Sequence, residues 1–380
     1  MTKIRICGNK NLTLKEAKRT VKRKWSKAKI WEWYNAHPWI RGCNFIGSDC
    51  ANRLDMFQSH NCEEKLQTAE RELALAQKIG FNTVRIWANF DVYYAEPEAY
   101  MEIFDRYVEL CAKYGQKIMV VLTHEEDLPR GEVFIPKPIG EQKYALGSHQ
   151  GRFALTEEEL AMEPRHYMEY AETRDKFLEM VRRTVSKYAN DERIICWNVM
   201  NEPGMYLGAR SIEILKTLFA LVREQDPVQP LCADIWRGIE GGHLQTVEER
   251  VAFELSDIIS FHSYQAYHKL VAEIRYHQKT GRPVLLTEWL HRINHNNIHD
   301  LYPLFYITNV ANYCWGFVVG KTQTNEPWDF MWEQWDKGEG REYDFTKWQH
   351  DLFRPNLRPY DPHEIELIEM FNKLAADEGR

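Results

Sequence analysis

The 380-residue chain has no apolar run long enough to cross a membrane and no block of basic residues. Its longest apolar stretches, such as residues 118–122, have the length of a β-strand. The 49 Lys and Arg residues and the 56 Asp and Glu residues give a formal net charge of −7, which disfavours binding to a phosphate backbone. We therefore expect neither a membrane protein nor a nucleic-acid partner.

The sequence also lacks the cysteine spacings that are typical of metal or disulfide frameworks. None of its eight cysteines forms a Cys-x-x-Cys pair, which indicates reduced and mostly buried thiols. The first ten residues contain no apolar segment of signal-peptide length and no small-residue cleavage site. We expect a cytoplasmic protein without a metal or other cofactor.

The feature in excess is aromatic. The chain contains 13 Trp, 19 Tyr and 17 Phe, while its hydrophobic fraction of 44% and charged fraction of 28% are those of an ordinary globular protein. Tryptophan often lines ligand sites and stacks on flat apolar faces. The aromatic excess therefore indicates a binding site for a small ligand with such faces.

From about residue 40 onwards, short β-rich apolar runs alternate with stretches of helical periodicity. This alternation predicts an α/β fold with parallel strands buried on both faces. Eight repeats without a Gly-x-Gly-x-x-Gly turn favour the closed (β/α)₈ TIM barrel over a doubly wound sheet. We expect one barrel domain over residues 39–380. The predicted strands cover 40–46, 83–87, 117–123, 194–199, 231–236, 258–261, 283–288 and 313–319.

Residues 1–38 precede this alternation. A charged segment from about Leu14 to Trp33 has helical periodicity, so we expect an N-terminal helical extension packed on the outside of the barrel. Its tryptophans are a candidate contact in a homo-oligomer.

Two connections are much longer than the usual few residues, and both follow predicted strands, the third and the eighth. They cover 124–165 and 320–361, so in a barrel both would stand over the C-terminal face, where active sites of this fold are built. The second carries several tryptophans that could shape a pocket: Trp328, Trp332, Trp335 and Trp348.

Two glutamates follow predicted strands directly. Glu202 lies in Asn201-Glu202-Pro203 after the fourth strand, and Glu288 ends the seventh. Both would face one barrel mouth, and paired carboxylates of this kind carry out glycoside hydrolysis, one as acid and the other as nucleophile or base. Either glutamate alone could also be a solvated loop residue or an ion-pair partner. Glu326 repeats the Asn-Glu-Pro tripeptide, but several polar residues separate it from the eighth strand, so we interpret it as a loop residue.

These motifs resemble the retaining glycosidases of clan A, and glycoside hydrolase family five in particular. That family carries eight functional residues, which match Arg85, His124, Asn201, Glu202, His262, Tyr264, Glu288 and Trp315 in this sequence.

The resemblance implies a role for each matched residue. Glu202 would be the acid/base beside Asn201, and Glu288 the nucleophile, held by Arg85 and Tyr264. His262 would support catalysis, while His124 and the sugar platform Trp315 would bind substrate. A retaining mechanism places the two carboxyl groups about 5–5.5 Å apart. We expect burial to raise the pKa of Glu202 while Glu288 stays ionised.

Three runs, residues 41–46, 315–324 and 348–351, resemble a narrower subgroup of intracellular exo-acting β-mannosidases within the family. This resemblance implies a short-oligosaccharide substrate of the Man-β-1,4-GlcNAc type, cleaved by double displacement. Lys321, Gln323 and Trp328 follow the eighth strand and are candidate substrate-binding residues, or else they pack the loop.

Other functions stay open at this point. A β-glucosidase, a β-xylosidase or an endo-β-glycanase of the same clan would share the mechanism, and a transglycosylase would differ only in its acceptor. A non-catalytic sugar-binding barrel would leave both glutamates unexplained. A metal-dependent barrel hydrolase is disfavoured, because the first strand ends in Gly42-Cys43-Asn44 rather than in a His-x-His pair.

Three histidines, His291, His295 and His299, recur at a spacing of four residues after the seventh strand. On one helical face they could bind a metal. Asparagines are frequent between them and disfavour a helix, so we interpret the segment as a rim loop.

Overall fold

The computed structural model describes residues 24–144, 146, 147, 149 and 156–380. Its centre is a sheet of eight parallel strands surrounded by helices, which confirms the predicted (β/α)₈ barrel. The barrel strands are β1 (Arg41–Asn44), β2 (Thr83–Trp87), β3 (Lys117–Val121), β4 (Ile194–Asn198), β5 (Leu231–Cys232), β8 (Ile259–His262), β9 (Val284–Trp289) and β10 (Ala311–Cys314). A small antiparallel hairpin, β6 (Ile239–Glu240) and β7 (His243–Leu244), lies between β5 and β8.

The strand order is β5-β4-β3-β2-β1-β10-β9-β8, so the first and last barrel strands are neighbours. Between β5 and β8 the barrel closes through one parallel bridge, Ile235 to Phe261. The amide of Ile235 donates to Ser260 O at 3.1 Å, and the amide of His262 donates to Ile235 O at 2.7 Å. Strand β5 is shorter than predicted, and just after it the amide of Ala233 donates to the Ser256 hydroxyl instead of to a neighbouring strand.

Helices follow most barrel strands and bury one face against them. The helices in the described part of the chain are α1 (Lys27–Asn35), α2 (Cys62–Lys78), α3 (Phe90–Ala95), α4 (Pro97–Lys113), α5 (Glu157–Ala161), α6 (Ala171–Tyr188), α7 (Ser211–Glu224), α8 (Val247–Leu255), α9 (Tyr267–Gln278), α10 (Ile298–Thr308), α11 (Asp329–Asp336) and α12 (Pro362–Asp377). In α7 the buried residues Ile214, Leu215, Leu218 and Val222 recur at the three- and four-residue spacing of a helix face that packs on a sheet. None of the described helices is both long and apolar enough to span a bilayer.

Helix α1 covers the end of the barrel where the strands begin. The Ser26 hydroxyl accepts from the amide of Lys29 and caps the helix, while Ile30 and Tyr34 pack into a cluster with residues at the amino ends of the strands. The predicted helix from Leu14 to Trp33 is therefore helical over 27–33, and residues 14–23 lie outside the described residues.

Gly42 lies in β1 where the backbone of β2 passes close by. A Cβ atom there would lie 1.9 Å from the carbonyl oxygen of Thr83, whereas a Cβ at Gly47 would meet only ordinary contacts at 3.4 Å or more. Neither strand of the closed barrel can move away without breaking its ladder to the next one.

We expect Gly42→Ala to lower the melting temperature by about 5 °C or more, since such overpacking costs several kcal/mol. Gly47→Ala is the matched control and should shift it by about 1 °C or less. Thermal unfolding followed by circular dichroism measures both, and equal melting temperatures for the two variants would contradict the close approach.

Candidate active site

A cleft of about 720 Å³ opens where the barrel strands end. Six of the predicted site residues line it: Glu202, Glu288, His262, Tyr264, Trp315 and Trp328. Several residues that were not predicted also contribute to its walls, among them Glu126, Tyr206, Trp236, His291, Phe330 and Tyr343. The two glutamates thus share one cavity, which is lined by aromatic rings.

The two carboxyl groups are close together. One oxygen of Glu202, one of Glu288 and one ring nitrogen of His262 all lie within 4.8 Å of one another. Glu202 has a φ of +44°, a strained conformation for a residue with a side chain, and such strain is typical of functional positions held by their surroundings. The nearest oxygens of the two carboxyl groups are thus closer than the separation of about 6.5–9.5 Å that an inverting pair requires.

Two donors hold the side chain of Glu288 in place. Arg85 Nη1 donates to Oε1 at 2.8 Å, and the Tyr264 hydroxyl donates to Oε2 at 2.8 Å. Arg85 comes from β2 and is completely buried. Burial opposes its charge, but the neighbouring Asp234 and Glu288 outweigh burial and raise the pKa of Arg85.

Arg85 also connects the glutamate to the rest of the barrel mouth. Its Nη1 donates to Asn44 Oδ1 at 2.8 Å, while its Nη2 donates to Asn201 Oδ1 at 2.6 Å and to Asp234 Oδ2 at 2.8 Å. One guanidinium from β2 therefore holds four side chains, each of which belongs to or follows a different strand.

Glu202 and His262 form a hydrogen-bonded pair, with His262 Nδ1 2.6 Å from Glu202 Oε1. Burial and the charge of Glu288 raise the pKa of Glu202 to about 7, although His262 opposes the shift. Burial disfavours a charged His262, but Glu288, Asp234 and Glu202 outweigh it and raise the pKa of His262 to about 10. Near neutral pH the site thus combines a protonatable carboxyl group with a fixed imidazolium.

The trio of Glu202, His262 and Glu288 has the spacing of a metal site. Each of these side chains already has a hydrogen-bond partner within the site, so hydrogen bonding accounts for the cluster. In the described part of the chain one other such trio occurs, His299 with Asp361 and Glu364, and there Arg292 already binds the Glu364 carboxylate at 2.8 and 2.7 Å.

The sequence reasoning missed Asp234, which follows β5. It is completely buried and accepts from Arg85 Nη2, from Asn198 Nδ2 at 2.6 Å and from the Thr287 hydroxyl at 2.8 Å, and His262 Nε2 lies 3.5 Å away. These donors lower the pKa of Asp234 against the effect of burial. The predicted strand 231–236 contained Asp234, so the signal that marked Glu202, an acidic residue directly after an apolar run, was hidden; it appears only when the strand ends at Cys232.

Of the predicted substrate-binding residues, Trp315 and Trp328 lie in the cleft wall and the rest lie outside it. Trp315 meets Trp87 edge to face at 5.3 Å in the cleft wall. His124 lines a small neighbouring cavity instead of the cleft, and burial, assisted by the charge of Arg53, lowers its pKa to about 3. Neither Lys321, which is exposed, nor Gln323, whose Oε1 accepts from the amide of Gly147, is among the residues that line the cleft.

Of the four tryptophans in the long connection after β10, only Trp328 lines the cleft. Trp332 stacks on Phe345 with ring centroids 4.2 Å apart, and Trp348 stacks on Tyr360 at 4.7 Å. The expectation that all four shape the pocket is therefore wrong, because most of them pack against aromatic rings of their own loop.

The histidine segment after β9 is only partly the rim loop that was predicted. His291 caps a 3₁₀ turn over Arg292–Asn294, and His295 ends it with a φ of +60°. His299 lies in α10, which begins at residue 298 because the Asn297 side chain caps it.

We expect Asp234→Asn to lower the pKa of His262, because the substitution removes one of the three carboxylates that stabilise the imidazolium. A ¹⁵N-histidine NMR titration measures this pKa. Asp257→Asn is the matched control, since Asp257 is equally buried but pairs with Arg223. An unchanged pKa of His262 in Asp234→Asn would contradict the proposed electrostatic coupling.

Comparison with known proteins identifies the family of this chain. Residues 45–338 match the family model described as Cellulase (glycosyl hydrolase family 5). A comparison with curated proteins finds no significant match.

Solved structures of similar fold include Op5Man5, described as an exo-β-1,4-mannosidase from Opitutaceae bacterium strain TAV5, with 14% identity and a TM-score of 0.54 over 89% of this chain. This chain spans 60% of that protein. A GH5_18 protein from Streptomyces cattleya in complex with Man-β-1,4-GlcNAc has 13% identity and a TM-score of 0.56, covering 89% of this chain and 81% of its own. A family 5 mannosidase from Rhizomucor miehei has 13% identity and a TM-score of 0.52, and the match covers 89% of this chain and 93% of the Rhizomucor chain. At these identities the structures show a shared fold, and the family model, which spans most of the chain, shows that the chain belongs to glycosyl hydrolase family 5.

Proposed function

We propose that the protein is a retaining, exo-acting β-glycosidase for short oligosaccharides, with a β-mannosidase of the Man-β-1,4-GlcNAc type favoured. The observation that carries the mechanism is the pair of carboxyl groups with oxygens within 4.8 Å of each other in one cleft. In this proposal Glu288 is the nucleophile and Glu202 the acid/base.

In the first step a Glu288 oxygen attacks the anomeric carbon while Glu202 gives its proton to the glycosidic oxygen. The bond between the anomeric carbon and that oxygen breaks, and the leaving sugar departs as an alcohol. Arg85 and Tyr264 hold the attacking carboxylate in place through one hydrogen bond to each oxygen. Burial raises the pKa of Glu202 to about 7, so the carboxyl group can carry a proton near neutral pH, as an acid catalyst requires.

In the second step the Glu202 carboxylate takes a proton from water, and the oxygen of that water attacks the anomeric carbon. The glycosyl ester of Glu288 breaks, and the sugar leaves with its original anomeric configuration. His262 remains positively charged next to both carboxyl groups, which compensates for the charge that passes between them.

The size of the cleft supports a short substrate. Its volume of about 720 Å³ is in the usual range for small-molecule sites. The connections after β3 and β10 both reach this cleft, through Glu126 and Trp328. The preference for mannose rests on the sequence resemblance of residues 41–46, 315–324 and 348–351 to the β-mannosidase subgroup. The solved mannosidase structures support only the fold.

We expect the enzyme to hydrolyse an aryl β-mannoside and Man-β-1,4-GlcNAc faster than the matching β-glucoside and β-xyloside, in initial-rate assays. Glu288→Ala should lower kcat by about 10⁴-fold or more, as removal of a nucleophile does. Glu326→Ala, in the second Asn-Glu-Pro tripeptide, is the control and should keep the wild-type rate.

Azide distinguishes a missing nucleophile from a misfolded variant. With an activated aryl glycoside, azide should occupy the space left in Glu288→Ala and form a glycosyl azide of inverted configuration. Faster hydrolysis of another sugar would overturn only the mannose preference. A fully active Glu288→Ala variant would overturn the mechanism.

The pKa of Glu202 predicts the alkaline side of the pH profile. With a natural leaving group, kcat/KM should fall as pH rises through about 7, because the acid loses its proton. An aryl glycoside with a good leaving group needs little protonation, so Glu202→Gln should retain much more of the cleavage step on it than on the disaccharide. Equal losses on both substrates would contradict the acid role.

A further inference from the structure

Two consecutive residues after β5, Trp236 and Arg237, line the cleft. Trp236 is partly exposed and Arg237 is exposed, so a ligand in the cleft can reach both side chains. Neither residue takes part in the proton transfers or in the attack on the anomeric carbon. Their place in the cleft wall therefore needs a separate explanation.

The two side chains form one stacked unit. The guanidinium carbon of Arg237 lies 4.3 Å from the centroid of the Trp236 ring. In the described part of the chain no carboxylate forms an ion pair with this guanidinium. The unit thus presents an aromatic surface directly beside N–H donors that a ligand can use.

The backbone of this unit is fixed at two points. The amides of Trp236 and Arg237 donate to Oε1 of Glu249 at 3.0 and 2.7 Å, and Glu249 is completely buried in the first turn of α8. The carbonyl oxygen of Ile235 accepts from the amide of His262 at 2.7 Å. The position of the unit is therefore set by the barrel before a ligand binds, which lowers the entropy cost of binding.

The stacked unit lies next to the acid/base. Trp236 Nε1 donates to the carbonyl oxygen of Pro203 at 3.3 Å, and Pro203 directly follows Glu202. Because Glu202 gives its proton to the glycosidic oxygen, the sugar that departs with that oxygen lies on the Glu202 side of the cleft. Trp236 and Arg237 are on this same side.

We propose that Trp236 and Arg237 form the binding site for the leaving sugar, with the indole against C–H groups of the sugar ring and the guanidinium donating to its oxygens. This inference rests on the proposed glycosidase function and adds the residues that select the leaving group. A sugar ring combines apolar C–H groups with hydroxyl oxygens, so it matches a surface that is part aromatic and part donor. Binding energy from this sugar lowers the barrier of the first step.

The test compares two substrates with the same glycosyl unit, the β-1,4-linked disaccharide with GlcNAc and the β-glycosyl fluoride. Fluoride has no ring, so only the disaccharide can place a leaving group on Trp236 and Arg237. The variants are Trp236→Ala, Trp236→Phe and Arg237→Gln. Trp335→Ala and Arg341→Gln are the matched controls, because Arg341 stacks on Trp335 at 4.6 Å and neither residue lines the cleft.

We expect Trp236→Ala to lower kcat/KM on the disaccharide by about 10- to 100-fold and Arg237→Gln by about 10-fold, with changes below about 2-fold on the fluoride. Trp236→Phe keeps an aromatic surface but loses the Nε1–H bond to Pro203, so it should lose less than Trp236→Ala on the disaccharide. Both control variants should match the wild type on both substrates.

Three outcomes would overturn the inference. They are a loss of equal size on both substrates, an unchanged disaccharide rate in Trp236→Ala or in Arg237→Gln, and a Trp236→Phe variant as slow on the disaccharide as Trp236→Ala. The last would assign the effect to the bond with Pro203.

Melting temperatures show whether Trp236→Ala unfolds. In that case Arg237→Gln still decides the inference, because an exposed side chain can be replaced with little effect on stability. Failure of the proposed function is distinguishable, because then the wild type itself would hydrolyse neither substrate.

Discussion

The site depends on one buried charge. Arg85 extends from β2 into the barrel mouth with no exposure to solvent, and its guanidinium binds the carboxylates of Asp234 and Glu288 and the amide oxygens of Asn44 and Asn201. Such a charge is stable only when every neighbour is placed to balance it, since an unpaired buried guanidinium would be very costly. The residues around it are consequently fixed by electrostatics as much as by packing.

This arrangement assigns opposite properties to chemically similar carboxyl groups. Glu288 receives two donors, whereas the second glutamate, Glu202, is buried beside it and has its pKa raised to about 7. His262 lies between them, and Asp234 beneath it helps to keep its charge. The proposed double displacement needs two carboxyl groups with different properties, and in this site the difference comes from their different hydrogen-bond partners.

Aromatic rings make up much of the cleft wall around the two glutamates. Trp236, Tyr264 and Trp328 follow different strands, so barrel closure gathers their flat apolar surfaces in one cavity. The loop after Glu288 belongs to the same wall, because Trp328 packs on the His291 ring at 4.6 Å.

The sequence by itself determined the barrel, because buried parallel strands leave apolar runs that alternate with amphipathic helices. It also pointed to Glu202 and Glu288, since acidic residues directly after such runs must meet at one rim. Only the tertiary structure decided how these groups are charged, because Asp234 and His262 lie 28 residues apart in the sequence and meet only through barrel closure. It also separated Trp328, in the cleft, from Trp332 and Trp348, in the packing of their loop, since composition cannot tell which ring finds an aromatic partner of its own.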